Sequence, residues 1–166
     1  LITDYSQMLK DEAALSRAKM QKINLLNVIV SVVEDFNQDL LNSNKNIQIK
    51  IDSSKINGSK LNILGVESKL EQVVANLLDN AVSFSPSNSN VNVTCNIKKK
   101  NIQLVFEDEG PGFNEKNIDK VFNRFYSNRP EKFGEHSGLG LNIVKNIIEL
   151  HGGSIKVSNQ QGNKKG

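Results

Sequence analysis

The residue types best suited to chemistry in this chain fall in three separated clusters. The first is Asn76 and Asn80, four positions apart within GVESKLEQVVANLLDNAVSFSP. On a helix that spacing puts both carboxamides on one face. Their carbonyl oxygens suit a hard cation and their NH₂ groups suit phosphate oxygens. The second cluster is Asp108, followed by Gly110 and Gly112 in DEGPG. An ionised carboxylate only accepts hydrogen bonds, so it can receive one from the exocyclic amine of a base. In the third, Gly138 and Gly140 of SGLGL open a helix, where close backbone approach and the helix dipole favour an anion. A base amine at Asp108, a cation at Asn76 and phosphates at Gly138 and Gly140 together describe Mg-ATP. Taken singly, each cluster has a plainer reading: a solvated Asn, a Gly-Pro turn, a tight helix start. The order and spacing of all three carry the signal. No GKS or GKT occurs, so the Walker pattern does not apply, nor does a Rossmann fingerprint.

Each cluster needs an element to hold it. Val66, Leu70, Val73, Val74, Leu77, Leu78 and Ala81 form one wide apolar stripe of an amphipathic helix. Gln72, Asn76, Asn80 and Ser83 make a polar, uncharged stripe beside it, and Pro86 ends the helix. Upstream, residues 1–22 read as a helix with Leu1, Tyr5, Met8 and Leu15 near a heptad repeat. Asn24 is the expected N-cap of a second helix over about 25–42. Ile47, Ile49 and Ile51 alternate as a strand, and Leu61 and Ile63 mark a short one. Val91 to Ile97 and Ile102 to Phe106 form an antiparallel hairpin around a lysine turn, the second strand running into Asp108. Residues 113–137 read as a long connector of the kind that serves as a lid. The helix after Gly138 ends at His151-Gly152-Gly153, and Ile155 and Val157 predict a last strand. Each strand is one-sided, which gives an α/β two-layer sandwich with helices on one face of the sheet.

Composition narrows the classes. At 166 residues the chain is one domain with a short appendage, and 37% hydrophobic with 23% charged residues fits a soluble globular protein. A net charge of +3, two Tyr and no Trp argue against a nucleic-acid surface. Cys95 is the single cysteine, which excludes a disulfide framework within the chain and fits a small buried hydrophobe. No run of about 20 apolar residues is present to span a bilayer. Leu1 stands without Met inside a helical pattern, as expected of a fragment of a longer protein.

These motifs resemble those of the ATP-binding catalytic domain of sensor histidine kinases, within the ATPase/kinase superfamily that shares the Bergerat fold. EQVVANLLDNAVSFSP resembles the N-box, DEGPG the first glycine box, VFNRFY the F-box and SGLGLNIVKNIIELHGG the second glycine box. The resemblance implies a mixed, mostly antiparallel sheet covered by helices on one face. It divides the chain into residues 1–22, the tail of a dimerisation and histidine-phosphotransfer helix, and 23–166, the catalytic domain with its final strand truncated.

By the same resemblance Asn76 holds Mg²⁺, Asn80 contacts phosphate and Asp108 takes the adenine amine in a pocket shaped by Gly110 and Gly112. Arg124 reaches the γ-phosphate, Phe122 and Tyr126 pack the lid, and Ser137, Gly138, Leu139, Gly140 and Leu141 wrap the phosphates. Ser83 stands where many members carry Lys, and His136 where an additional Gly is usual. Neither His136, followed by Ser, nor His151, followed by Gly, fits the acceptor pattern of His before an acidic residue, so the acceptor is expected upstream. His151 reads as a helix-end residue acting on the dipole. ATPases of the superfamily place a Glu base where this chain has Asn76, and an amide cannot take a proton from water.

The implied function is transfer of the ATP γ-phosphate to a histidine of the parent protein. A nucleotide-binding pseudokinase or another ATPase of the superfamily is the alternative. The implied partners are ATP, the phosphotransfer hairpin and, indirectly, a response regulator. The parent is expected to be a homodimer and an inner-membrane sensor, and this fragment monomeric and cytoplasmic.

Overall fold

The computed structural model describes residues 20–56, 61–113, 118–123 and 140–160. The elements in order are β1 (Gln21–Asn24), α1 (Leu25–Leu40), β2 (Gln48–Asp52), β3 (Asn62–Gly65), α2 (Glu67–Phe84), β4 (Asn90–Lys98), β5 (Asn101–Glu107) and α3 (Gly140–Leu150). Short 3₁₀ turns cover Ser54–Ile56 and Ile118–Phe122.

The expected N-cap forms: Asn24 is extended at φ −85° and its Oδ1 accepts the Leu26 amide at 3.1 Å. Alternation in the isoleucine strand and the hairpin sets the main sheet, in the order β2-β4-β5. β2 runs parallel to β4, pairing Ile49 with Val91 and Ile51 with Val93. β4 and β5 are antiparallel, pairing Val93 with Phe106 and Cys95 with Leu104. Their inward side chains meet α1 and α2 in one core containing Ile29, Leu61, Val74, Leu78, Val91, Val93 and Cys95. This is the mixed α/β sandwich expected, with Cys95 wholly buried. Lys99, at φ +56°, makes the hairpin turn, while Lys98 still belongs to β4.

β2 is an edge strand, and Asn37 of α1 covers it. Its Nδ2 donates to the Ile49 carbonyl at 3.0 Å and its Oδ1 accepts the Ile49 amide at 2.9 Å. At Ile49 the outer side of the ladder is thereby satisfied by a helix.

Two expectations need correction. Gln21 and Lys22 are not helical: they belong to β1, which pairs antiparallel with β3, Gln21 opposite Gly65 and Asn24 opposite Asn62. Ile23 is thereby buried in the main core, a gain that helical spacing at this point would not give. The helix proposed for residues 1–19 lies outside the described residues. Residues 153–160, where Ile155 and Val157 predicted a strand, carry no regular structure. Ile155 instead packs on the cluster that joins α2 to α3, and side-chain bonds from Asn159 and Gln160 hold the segment.

Candidate active site

Helix α2 carries Asn76, Asn80 and Ser83 and receives the Asp108 loop and the start of α3. Its apolar stripe divides between two neighbours: Leu70, Val74 and Leu78 face the main core, while Val73, with Leu77, packs on Val144 and Ile147 of α3. Asn76 and Asn80 lie partly buried along this helix. A Cβ built on Gly140, the first residue of α3, would lie 4.0 Å from the Asn80 Oδ1. The second carboxamide of the pair and the glycine-led helix start, 60 residues apart in sequence, therefore face each other.

One turn beyond Asn80, at the C-terminal end of α2, sits the acidic strand terminus. Asp108 follows the last residue of β5, and its Oδ1 accepts the Gly110 amide at 2.8 Å. Burial pushes its carboxyl pKa up, and the Gly110 amide opposes the shift by stabilising the anion. A Cβ on Gly110 would lie 2.7 Å from the Phe84 carbonyl oxygen, so only glycine allows this loop to seat on the end of α2. Gly112 takes φ +80°, a left-handed conformation that glycine adopts without strain. Gln160 Nε2 donates to the Asp108 carbonyl at 3.1 Å. Asn159 exchanges two hydrogen bonds with the backbone of Phe113, at 2.7 and 3.1 Å. The C-terminal described segment thus braces the glycine loop.

Ser83 is buried, and its hydroxyl donates to the Asp79 carbonyl at 2.7 Å. Its proton is thereby committed within the helix. Phe122 is buried beside α3, with the Lys145 Nζ 5.4 Å from the ring centroid. Asn142 Nδ2 donates to the Phe122 carbonyl at 3.0 Å, fastening the 3₁₀ turn to the first turns of α3. Leu141 lies next to Gly140 and is partly buried. Arg124, Tyr126, Ser137, Gly138 and Leu139 lie outside the described residues.

Asn142, Gln160 and Lys45, which holds the C-terminal carbonyls of α2, did not emerge from the sequence. Each acts through a main-chain carbonyl, a partner that no side-chain motif advertises. Among the described residues no group of three or more His, Cys, Asp and Glu is placed to hold a metal. Asn76 offers one neutral oxygen. That donor set suits Mg²⁺ carried mainly by nucleotide phosphates and water, and not a metal caged by protein.

Residues 65–166 match the family described as "Histidine kinase-, DNA gyrase B-, and HSP90-like ATPase". The chain is 34% identical to sensor protein ChvG of Agrobacterium fabrum, over 96% of its own length and 27% of that protein's. It is 34% identical to sensor protein ChvG of Rhizobium meliloti, over 98% and 29%. The chain therefore spans less than a third of these relatives. A solved structure of the mycobacterial sensor histidine kinase MprB superposes with a TM-score of 0.67 at 29% identity, over 80% of each chain. That of the Acinetobacter baumannii histidine kinase AdeS superposes with a TM-score of 0.69 at 23% identity, over 99% of this chain and 75% of that one, a likeness of fold. The match covers more than half of the chain and includes the asparagine helix, the Asp108 loop and the start of α3: this chain belongs to the histidine kinase-, DNA gyrase B- and HSP90-like ATPase family.

Proposed function

We propose that this chain is the catalytic, ATP-binding domain of a two-component sensor histidine kinase, and that it moves the γ-phosphate of ATP to a histidine elsewhere in the parent protein. The observation that carries the reading is the approach of Asn80 to Gly140, which joins a phosphate-suited carboxamide to an anion-suited helix start. Asp108 accepts the adenine amine and fixes the base at one end of α2. Asn80 and the first amides of α3 hold phosphate oxygens farther along it. Asn76 supplies the protein oxygen for Mg²⁺, which neutralises phosphate charge when bound. Arg124 meets the γ-phosphate as the bond to the β-phosphate oxygen breaks and a bond to the imidazole nitrogen forms. Phosphoryl transfer is largely positioning and charge neutralisation, and these residues supply both.

Asn76 cannot serve as a base for water, which favours transfer over hydrolysis. The committed Ser83 proton, at a position without Lys, supports a second reading in which nucleotide binds without transfer. The proposed partners are ATP, the phosphotransfer hairpin of the parent and, through it, a response regulator. The proposed setting is a cytoplasmic domain of a dimeric sensor. None of the described helices is long and apolar enough to cross a membrane.

Mixing this chain with γ-labelled ATP, Mg²⁺ and a separate helical hairpin bearing the acceptor His tests the reading. Acid-labile label on that His is expected. Tight ATP binding with no label on the hairpin would favour the second reading, and no ATP binding would overturn both.

A further inference from the structure

Lys45 lies in the turn between α1 and β2, outside the motifs that carry the family resemblance. Its Nζ donates to three carbonyl oxygens at the end of α2: Val82 at 3.2 Å, Ser83 at 3.1 Å and Ser85 at 3.1 Å. An ammonium has three hydrogens, one for each acceptor. The last carbonyls of a helix lack intrahelical partners and carry its negative end, so a cation there satisfies both needs. The turn that presents Lys45 is itself fixed. Its carbonyl accepts the Asn88 amide at 2.8 Å, and Asn46 Nδ2 donates to Asn88 Oδ1 at 2.8 Å. Burial lowers the Lys45 pKa, as expected of an ammonium taken partly out of water.

The carbonyl in the middle of this group, that of Phe84, is the surface on which Gly110 sits, 2.7 Å from where a Cβ would be. The Gly110 amide in turn bonds the Asp108 carboxylate at 2.8 Å. Lys45 therefore orders the helix end, the helix end seats the glycine, and the glycine aims the carboxylate. A base-reading group must be held within about 0.5 Å of its productive place, and its supporting contacts set that tolerance.

We propose that Lys45 is a positioning residue for base selection: by gathering the carbonyls around Phe84 it sets where the Asp108 carboxylate meets the adenine amine. The proposal rests on the assignment of Asp108 to adenine. Its own content is that base selectivity is controlled from a turn 63 residues earlier in the sequence than Asp108.

Calorimetry on the whole chain compares ATP with purine riboside triphosphate, which lacks the amine. The wild-type chain is expected to prefer ATP by about 10- to 100-fold, the value of one hydrogen bond to a charged group. Lys45→Met, which keeps the stem and removes the charge, is expected to shrink that preference by about tenfold while the analogue binds nearly as before. Lys45→Arg retains a cation and several donors, and is expected to restore most of the preference. In an Asp108→Ala background, Lys45→Met should lower ATP affinity no further. Lys45→Gln is measured alongside, with circular dichroism, so that a methionine variant that fails to fold does not end the test. Folded Lys45 variants with wild-type selectivity, or with equal losses for both nucleotides, would overturn the proposal alone. A wild-type chain indifferent to the amine would overturn the Asp108 assignment and the proposal together.

Discussion

His151 Nε2 accepts the Val66 amide at 3.1 Å, tying the end of α3 to the start of α2. The same ring donates from Nδ1 to the Ile147 carbonyl at 2.7 Å. One nitrogen must accept and the other donate, so the geometry requires the neutral ring with its hydrogen on Nδ1. The ring stands at the helix end as expected, bonded to the Ile147 carbonyl, and it also bridges α3 to α2. A Cβ on Gly65 would lie 2.9 Å from the His151 Cδ2, so the imidazole occupies the space a larger residue would need. Replacing His151 by Ala removes both bonds and leaves a gap against Gly65. A loss of about 1–3 kcal/mol is expected in urea unfolding, with the slope unchanged. A change under 0.5 kcal/mol, the size of an ordinary surface substitution, would contradict the bridge.

Gly110→Ala tests the seating of the glycine loop on α2. The atom in the way, the Phe84 carbonyl oxygen, is main chain and cannot rotate aside. The loop must move, at about 1–3 kcal/mol, and Asp108 moves with it. ATP affinity measured by calorimetry should fall at least tenfold. Gly112→Ala, at φ +80°, strains the main chain through its left-handed conformation and should also weaken ATP binding.

Asp108 should also show a conflict between stability and recognition. Burial raises its folded pKa above the ordinary 3.8, so the folded chain holds this proton more tightly than the unfolded one. Its contribution to stability is full below 3.8 and is lost as pH rises through the raised folded value. Asp108→Asn removes that loss while keeping an oxygen for the Gly110 amide. The variant should melt above the wild type at pH 7 and show a smaller melting difference at pH 3, by calorimetry without nucleotide. ATP affinity should fall about 10- to 100-fold for the loss of a charged acceptor. Equal destabilisation at both pH values would contradict the burial argument.

What the sequence disclosed followed from periodicity. Alternation in 47–51, 91–97 and 102–106 yields β2, β4 and β5, and the apolar stripe of 66–81 yields α2 with its asparagines on one helix. The Asn24 cap was legible because side chain and helix start are adjacent. β1 was not: four residues, QKIN, show no alternation long enough to separate a strand from the helical pattern before them. The strand predicted at Ile155 failed for the converse reason. Two alternating apolar residues suit a strand, yet Ile155 finds its cover on the α2–α3 cluster without any ladder. Motif spacing grouped Asn80 with Gly140, and the fold brings the two close. The bracing by Lys45, Gln160 and His151 depends on main-chain groups brought close only by folding.

Asn76→Ala separates the metal role from the phosphate role. Asn76 is partly buried, and no hydrogen bond engages its carboxamide among the described residues, so truncation should leave stability within about 0.5 kcal/mol. In the proposed role it offers one neutral oxygen to a hard cation whose remaining ligands would be phosphate and water. ATP affinity measured with Mg²⁺ and again with a chelator should differ for the wild type and converge for Asn76→Ala. Asn80→Ala lies one helical turn on, where the carboxamide faces Gly140, and should lose about tenfold under both conditions, about 1.4 kcal/mol. Transfer to a supplied acceptor should fall in both variants, but added Mg²⁺ should partly restore it only in Asn76→Ala, where a weakened site can still be filled by mass action. An Asn76 variant that keeps the full wild-type response to Mg²⁺ would remove this residue from the metal site, leaving phosphate contact as the remaining task of the pair.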